Sequence, residues 1–310
     1  MTLAAWQSRR EGIRKQLWAL LGDLPPRPNQ IATENRGNSE TEHYYQEDFF
    51  LLDSETGVKI PAVFLTSKVA MPPYPVVLYL HAHGGRYELG KSEIFRPRAG
   101  EFIPADELTK HGFAVMVIDA YAFEERQSPD EMTLFKRFLW EGKTLWGMML
   151  RDDLIALDYL NARADVDHRK ICAMGMSMGS TRAFWLAALD ATVTTTVAVA
   201  CLTRYTDLIA ADGLNNHDVY FYVPGMLMYF DVETIVSLIA PHRLLCLNGD
   251  RDPTSPVSGI RTITDEVASI YALYGAEDRF QSVIYPDLGH AFTPEMFSQS
   301  LSWLITGTVL

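Results

Sequence analysis

Residues 171–180 read ICAMGMSMGS, and they hold one serine between two glycines, Gly175-Met176-Ser177-Met178-Gly179. The apolar run 170–177 has the character of a buried strand, and 178–189 follows it with a helical pattern. A serine at such a strand–turn–helix junction sits on a sharp, strained turn. Small residues two places before and after it let the strand and helix close around that turn. The geometry lifts the hydroxyl clear of the sheet edge. It also turns the Met178 amide toward whatever the serine attacks. The competing reading is a glycine-rich turn with an idle serine.

Working outward, other apolar runs resemble the one before Ser177: PVVLYLHA (75–82), FAVMVIDAY (113–121), TTTVAVACL (194–202), RLLCLNG (243–249) and FQSVIYP (280–286). Continuous rather than alternating apolarity marks strands buried on both faces. Helical stretches separate them at about 103–111, 131–163, 178–189, 257–274 and 294–306. This alternation predicts an α/β fold with a mostly parallel sheet of about eight strands and helices on both faces, in one domain spanning 1–310. At its start, Trp6, Ile13, Leu17, Leu20 and Leu21 give an amphipathic helix within an extension over 1–30, which docks on its own domain or on a partner subunit. The pair 42–52 and 58–66, joined by DSETG, reads as an antiparallel hairpin at a sheet edge. Residues 203–241 are too long for a plain crossover and carry Tyr205, Tyr220, Phe221, Tyr222, Tyr229 and Phe230. They read as an inserted cap whose rings either face a ligand or pack their own small core.

A serine hydroxyl needs a base. His290, in YPDLGHAF after the last strand, is the histidine placed for it. His43, His111 and His168 precede the serine and read as surface or turn residues, while His242 lies at the wrong end of its strand. The base in turn needs a carboxylate to hold its tautomer. Asp252 in DRDPTSP is preferred, stiffened by Pro253 and Pro256, with Asp250 as the rival. Asp287 reads as a turn former. For a developing oxyanion, one donor is the Met178 amide, and the second is the backbone N–H of His83 in the turn His81-Ala82-His83-Gly84-Gly85. His81 reads as a buried structural residue.

Arg86, His217 and Tyr222 are candidates to line the substrate. The alternatives make Arg86, with Lys91, Arg96 and Arg98, a surface charge paired with Glu88, Glu93 and Glu101, and His217 a solvated loop residue. Glu124-Glu125-Arg126 follows a strand and is undecided. Met148, Met149, Met174, Met176 and Met178 read as packing.

The net charge of −12 argues against nucleic acid or an anionic membrane as partner. No stretch has the length of a membrane span, and charges interrupt the N-terminal region where a signal peptide would be apolar. Cys172, Cys201 and Cys246 lie in apolar runs and read as reduced, buried thiols of a cytoplasmic protein.

The order Ser177, Asp252, His290, with HAHGG upstream, resembles the α/β-hydrolase superfamily. The phrases RDDLIALDYLNARADVDHRKICAMGMSMGS, VPGMLMYFDVETIVSLIAPHRLLCLNGDRDPTSP and YPDLGHAF resemble its dienelactone-hydrolase and acetyl-xylan-esterase-like branch over most of 75–306. The resemblance implies a Ser-His-Asp triad, a two-amide oxyanion hole and no metal or organic cofactor. Ala82 departs from the commoner first glycine of the turn. Ser177 stands where dienelactone hydrolases proper carry a cysteine, which favours ester hydrolysis over lactone opening. The expectation is a serine esterase acting on short-chain or aromatic acyl esters, with a homo-oligomer as the one protein partner considered. A peptidase or amidase, an acyltransferase and a silent binding protein are the alternatives.

Overall fold

The computed structural model describes residues 1–99 and 102–308. In chain order the elements are α1 (Leu3–Leu21), β1 (Ala32–Glu40), β2 (Tyr44–Leu52), β3 (Lys59–Ser67), β4 (Tyr74–Leu80), α2 (Pro104–Lys110), β5 (Ala114–Ile118), α3 (Glu131–Trp140) and α4 (Leu145–Ala162). Then come β6 (Val166–Met176), α5 (Met178–Leu189), β7 (Val193–Val199), α6 (Tyr205–Ala210), α7 (Val232–Ser237), β8 (Arg243–Gly249), α8 (Val257–Tyr274), β9 (Phe280–Tyr285) and α9 (Pro294–Thr308).

Among the described residues nine strands form one sheet in the order β1-β2-β3-β5-β4-β6-β7-β8-β9. The first three are antiparallel, β3 pairs antiparallel with β5, and the block from β5 to β9 is parallel. The apolar runs explain that block. In β4, Val76, Leu78 and Leu80 enter the core under α1, α4, α5 and α8, while Val77 and Tyr79 enter the core under α2 and α9. A strand that must be dry on both sides has no polar position to spare.

The sheet has nine strands where about eight were expected. The extra strand is β1, ATENRGNSE, which is exposed along almost its whole length. It has no apolar alternation to betray it. Backbone pairing with β2 holds it at the edge, where solvent covers both faces. The expected helix over 131–163 is also two helices. The chain turns at Gly142, whose φ is +74, and Thr144 restarts it by accepting from the Gly147 amide at 2.8 Å. The same Thr144 hydroxyl donates to the Leu21 carbonyl at 2.8 Å, so the break receives the end of α1.

α1 docks on its own chain. Trp6, Ile13, Leu17 and Leu21 are buried in the larger core, each aliphatic one contributing about 1.5–3 kcal/mol. Arg10 and Arg14 donate to the Leu238 and Ala188 carbonyls at 2.8 and 3.1 Å, at the ends of α7 and α5. Among the described residues no helix is long and apolar enough to cross a membrane.

Candidate active site

The site lies beyond the carboxyl ends of β4, β6, β8 and β9. Ser177 follows β6 directly and has φ 57 and ψ −120, a left-handed conformation that costs a non-glycine residue about 1–3 kcal/mol. The surroundings enforce it. Its amide donates to the Val199 and Ala200 carbonyls at 2.9 and 3.1 Å, and its carbonyl accepts from Thr181 at 3.1 Å. The flanking glycines are required by close approach. A Cβ on Gly179 would strike the Leu80 carbonyl, and one on Gly175 would strike the Gly179 backbone.

Asp252 lies three residues past β8 and is 4% exposed. Its Oδ2 is 2.7 Å from His290 Nδ1, and its Oδ1 accepts from the Thr254 amide and hydroxyl at 2.9 and 2.6 Å. Burial alone would raise this carboxyl. The bond to His290, that ring's charge and the Thr254 donors outweigh burial and hold it below the usual carboxylate range. Asp250 is exposed, and its amide donates to the Tyr285 carbonyl at 3.0 Å. Asp287 takes a positive φ in the turn before His290 and pairs with Arg251.

After β4 the chain turns through 81–85. His81 is fully buried; its Nε2 accepts from the Ala120 amide and its Nδ1 meets the Ala82 carbonyl. Burial, reinforced by the charge of Arg182, lowers its pKa to about 3, so the ring is neutral. The Ala82 amide donates to Glu93 at 3.1 Å, and Glu93 is ion-paired with Arg98 at 2.5 Å. The His83 amide has no hydrogen-bond acceptor among the described residues, and neither has the Met178 amide, the first of α5.

A cleft of about 190 Å³ is lined by Ser177, His290, His83, Gly84, Gly85 and Thr254, with Asn216, His217, Asp218 and Tyr220 from the segment between β7 and β8. Ser177, His290 and His83 thus share one cavity, and His217 joins them. Its Nε2 meets the Thr254 carbonyl at 2.8 Å, and burial lowers its pKa, so it braces the Asp252 loop as a neutral ring.

Two expected lining residues are elsewhere. The Arg86 amide bonds back to the His83 carbonyl, and its exposed side chain turns out to Glu88 at 2.9 Å. Tyr222 lines a separate, apolar cavity of about 630 Å³ together with Phe135, Leu208, Phe221, Met226 and Met228. Phe221 separates the two spaces, stacked at 4.4 Å on His217. The rings of 203–241 therefore divide between their own packing and the cleft, where Tyr220 stacks on His83 at 5.0 Å.

Lys91 is buried among Asp119, Glu124 and Glu125 at 3.0, 2.8 and 2.7 Å, and Arg126 pairs with Asp152 at 2.7 Å. These charges brace the loops after β4 and β5. Glu101 lies outside the described residues. Two groups of acids approach metal-ligand spacing, Asp119-Glu124-Glu125 and His83-Glu131-Asp218. The Lys91 ammonium already occupies the first. In the second, the imidazole carries a carboxylate on each side, Glu131 at 3.0 Å from Nε2 and Asp218 at 3.4 Å from Nδ1.

Glu131, Asn216, Asp218 and Thr254 were not singled out from sequence, whereas Tyr220 was read as one of the cap's rings. Thr254, two residues past Asp252, had a readable signal as a short polar residue that can cap a loop carboxylate. The others had none, because their partners are distant in the chain.

A family model described as the dienelactone hydrolase family matches residues 60–300. The chain is 39% identical over 293 residues to the Bacillus subtilis (strain 168) protein named "Putative hydrolase YtaP", covering 94% of this chain and 97% of that one. Among solved structures it is similar to a glucuronoyl esterase from Solibacter usitatus, with TM-score 0.72 and 17% identity over 99% of this chain and 94% of that one. It is also similar to acetyl xylan esterase 1 from Thermoanaerobacterium sp. JW/SL YS485, with TM-score 0.59 and 16% identity over 94% and 98%. At such identities these two likenesses speak for the fold alone. The matched family and the extent of the shared sequence make this chain a hydrolase of the dienelactone hydrolase family, within the α/β-hydrolase superfamily.

Proposed function

We propose that the protein is a serine esterase cleaving small carboxylic esters through an acyl-enzyme. The observation that carries this reading is that a strained serine at the start of α5 lines the same cleft as a histidine that a buried carboxylate already holds. In this reading Ser177 Oγ attacks the ester carbonyl while His290 Nε2 takes its proton. Asp252 accepts from Nδ1–H and stabilises the imidazolium. The Met178 and His83 amides receive the negative charge on the carbonyl oxygen, each such donor being worth about 10²–10³ in rate. Collapse breaks the ester C–O bond, and His290 returns the proton to the departing alcohol. Water, deprotonated by His290, then attacks the acyl-serine, and Ser177 leaves with the proton. The small volume of the cleft supports a short acyl group.

The test is hydrolysis of p-nitrophenyl acetate, butyrate and octanoate by wild type and Ser177→Ala. The expected result is activity falling with chain length in wild type and loss of at least about a thousandfold in the variant. Full activity in Ser177→Ala overturns the mechanism.

A further inference from the structure

The His83 side chain is tied more tightly than a lining residue needs. Its ring is nearly fully buried, stacked on Tyr220 and met edge-on by Tyr87 and Phe123 at 5.1 Å each. The Gly85 amide donates to Nδ1 at 3.1 Å. A nitrogen that accepts carries no proton, so the ring's proton is on Nε2 and points at Glu131 Oε1, 3.0 Å away. Glu131 is 4% exposed, and its second oxygen accepts from the Tyr87 hydroxyl at 3.2 Å. It stands at the first residue of α3, where the helix dipole favours an anion. Asp218 Oδ2 lies 3.4 Å from Nδ1 on the solvent side.

The same turn is held from its other end by Glu93 on the Ala82 amide, and the Arg86 amide closes on the His83 carbonyl at 3.0 Å. Of the amides from 82 to 86, those of His83 and Gly84 are left uncommitted among the described residues.

We infer that Glu131 is a positioning residue: by fixing the His83 ring it fixes the peptide plane whose N–H receives the oxyanion. The inference rests on the esterase reading and adds to it a carboxylate that never touches substrate. Its action is on the transition state, since the amide bonds most strongly to the charged oxygen. Loosening it lowers kcat and leaves KM nearly alone.

The experiment measures kcat and KM on p-nitrophenyl acetate, and affinity for a small trifluoromethyl ketone, in wild type, Glu131→Ala, Glu131→Gln, His83→Phe, the double variant Glu131→Ala/His83→Phe and Ser177→Ala. In the ketone adduct Ser177 Oγ gives its proton to His290 and bonds the carbonyl carbon, and the C=O π pair moves to the oxygen, which becomes the anion that the amides hold. Glu131→Ala is expected to lower kcat about tenfold to hundredfold with KM within about twofold, and to weaken the ketone in parallel. Glu131→Gln recovers most of the loss, because its amide oxygen still accepts from Nε2–H. His83→Phe, which keeps the stack and loses both bonds, matches Glu131→Ala, and the double variant is no worse than either. An unimpaired Glu131→Ala or a folded, fully active His83→Phe overturns the inference, as does Glu131→Gln failing as badly as Glu131→Ala. Full activity in Ser177→Ala instead overturns the esterase reading itself, and this inference with it.

Discussion

The Asp252 carboxylate meets the His290 ring at 2.7 Å across 38 residues of chain, and its other oxygen is taken by Thr254. Two donors and a histidine leave it no freedom to rotate, which is what a group that sets a tautomer requires.

Asp252→Asn should therefore lower kcat by about 10³–10⁴ with the fold intact, since an amide at that place favours the wrong tautomer. Asp250→Asn should stay near wild type, because that side chain faces solvent. Steady-state kinetics on p-nitrophenyl acetate check both. Equal losses would assign the role wrongly.

Gly179→Ala should destabilise the protein by at least about 2 kcal/mol, because its Cβ meets the Leu80 backbone and neither strand nor helix can yield. Thermal unfolding reads this. An unchanged melting temperature would mean that the packing around the Ser177 turn is slacker than described.

Arg151 is buried against Asp53 at 2.6 Å and also donates to the Pro25 and Pro26 carbonyls. Asp53→Ala strands that charge and should cost about 3–5 kcal/mol. Burial raises the Asp53 carboxyl, but Arg151 and Thr56 prevail and hold it low in the folded state. The sign follows: the carboxylate's contribution is full above the unfolded value of about 4 and fades as pH falls through the folded one. Denaturant melts of wild type and variant between pH 7 and pH 3 should converge on the acid side; a constant gap would refute the linkage.

Burial pushes the thiols of Cys172 and Cys246 up to about 12 and that of Cys201 to about 11. Native protein should leave an aromatic disulfide reagent uncoloured, and denatured protein should release three equivalents. Iodoacetamide should spare activity. Inhibition by it would point to a thiol in the chemistry.

The parallel block was legible because burial on both faces selects against polar residues, and the dry stretches of β4, β5, β6, β7 and β8 are apolar apart from Thr195, Thr196 and Asn248. The turn at Ser177 was legible for a similar reason: close backbone approach admits only glycine at 175 and 179. β1 was not, because an edge strand wet on both faces obeys no pattern. Asp252 was preferred to Asp250 on the stiffness of its loop, but the outward turn of Arg86 and the separation of Tyr222 from the cleft were not readable. Both aspartates end the same strand; what selects one is the neighbouring His290 loop, held so close that a Cβ on Gly249 would strike the Leu288 and Gly289 carbonyls. The bond from His83 to Glu131 spans 48 residues and two elements. Local sequence dictates what a residue must avoid, solvent or a neighbouring backbone. Which partner it meets depends on how distant elements pack, and that only the tertiary structure decided.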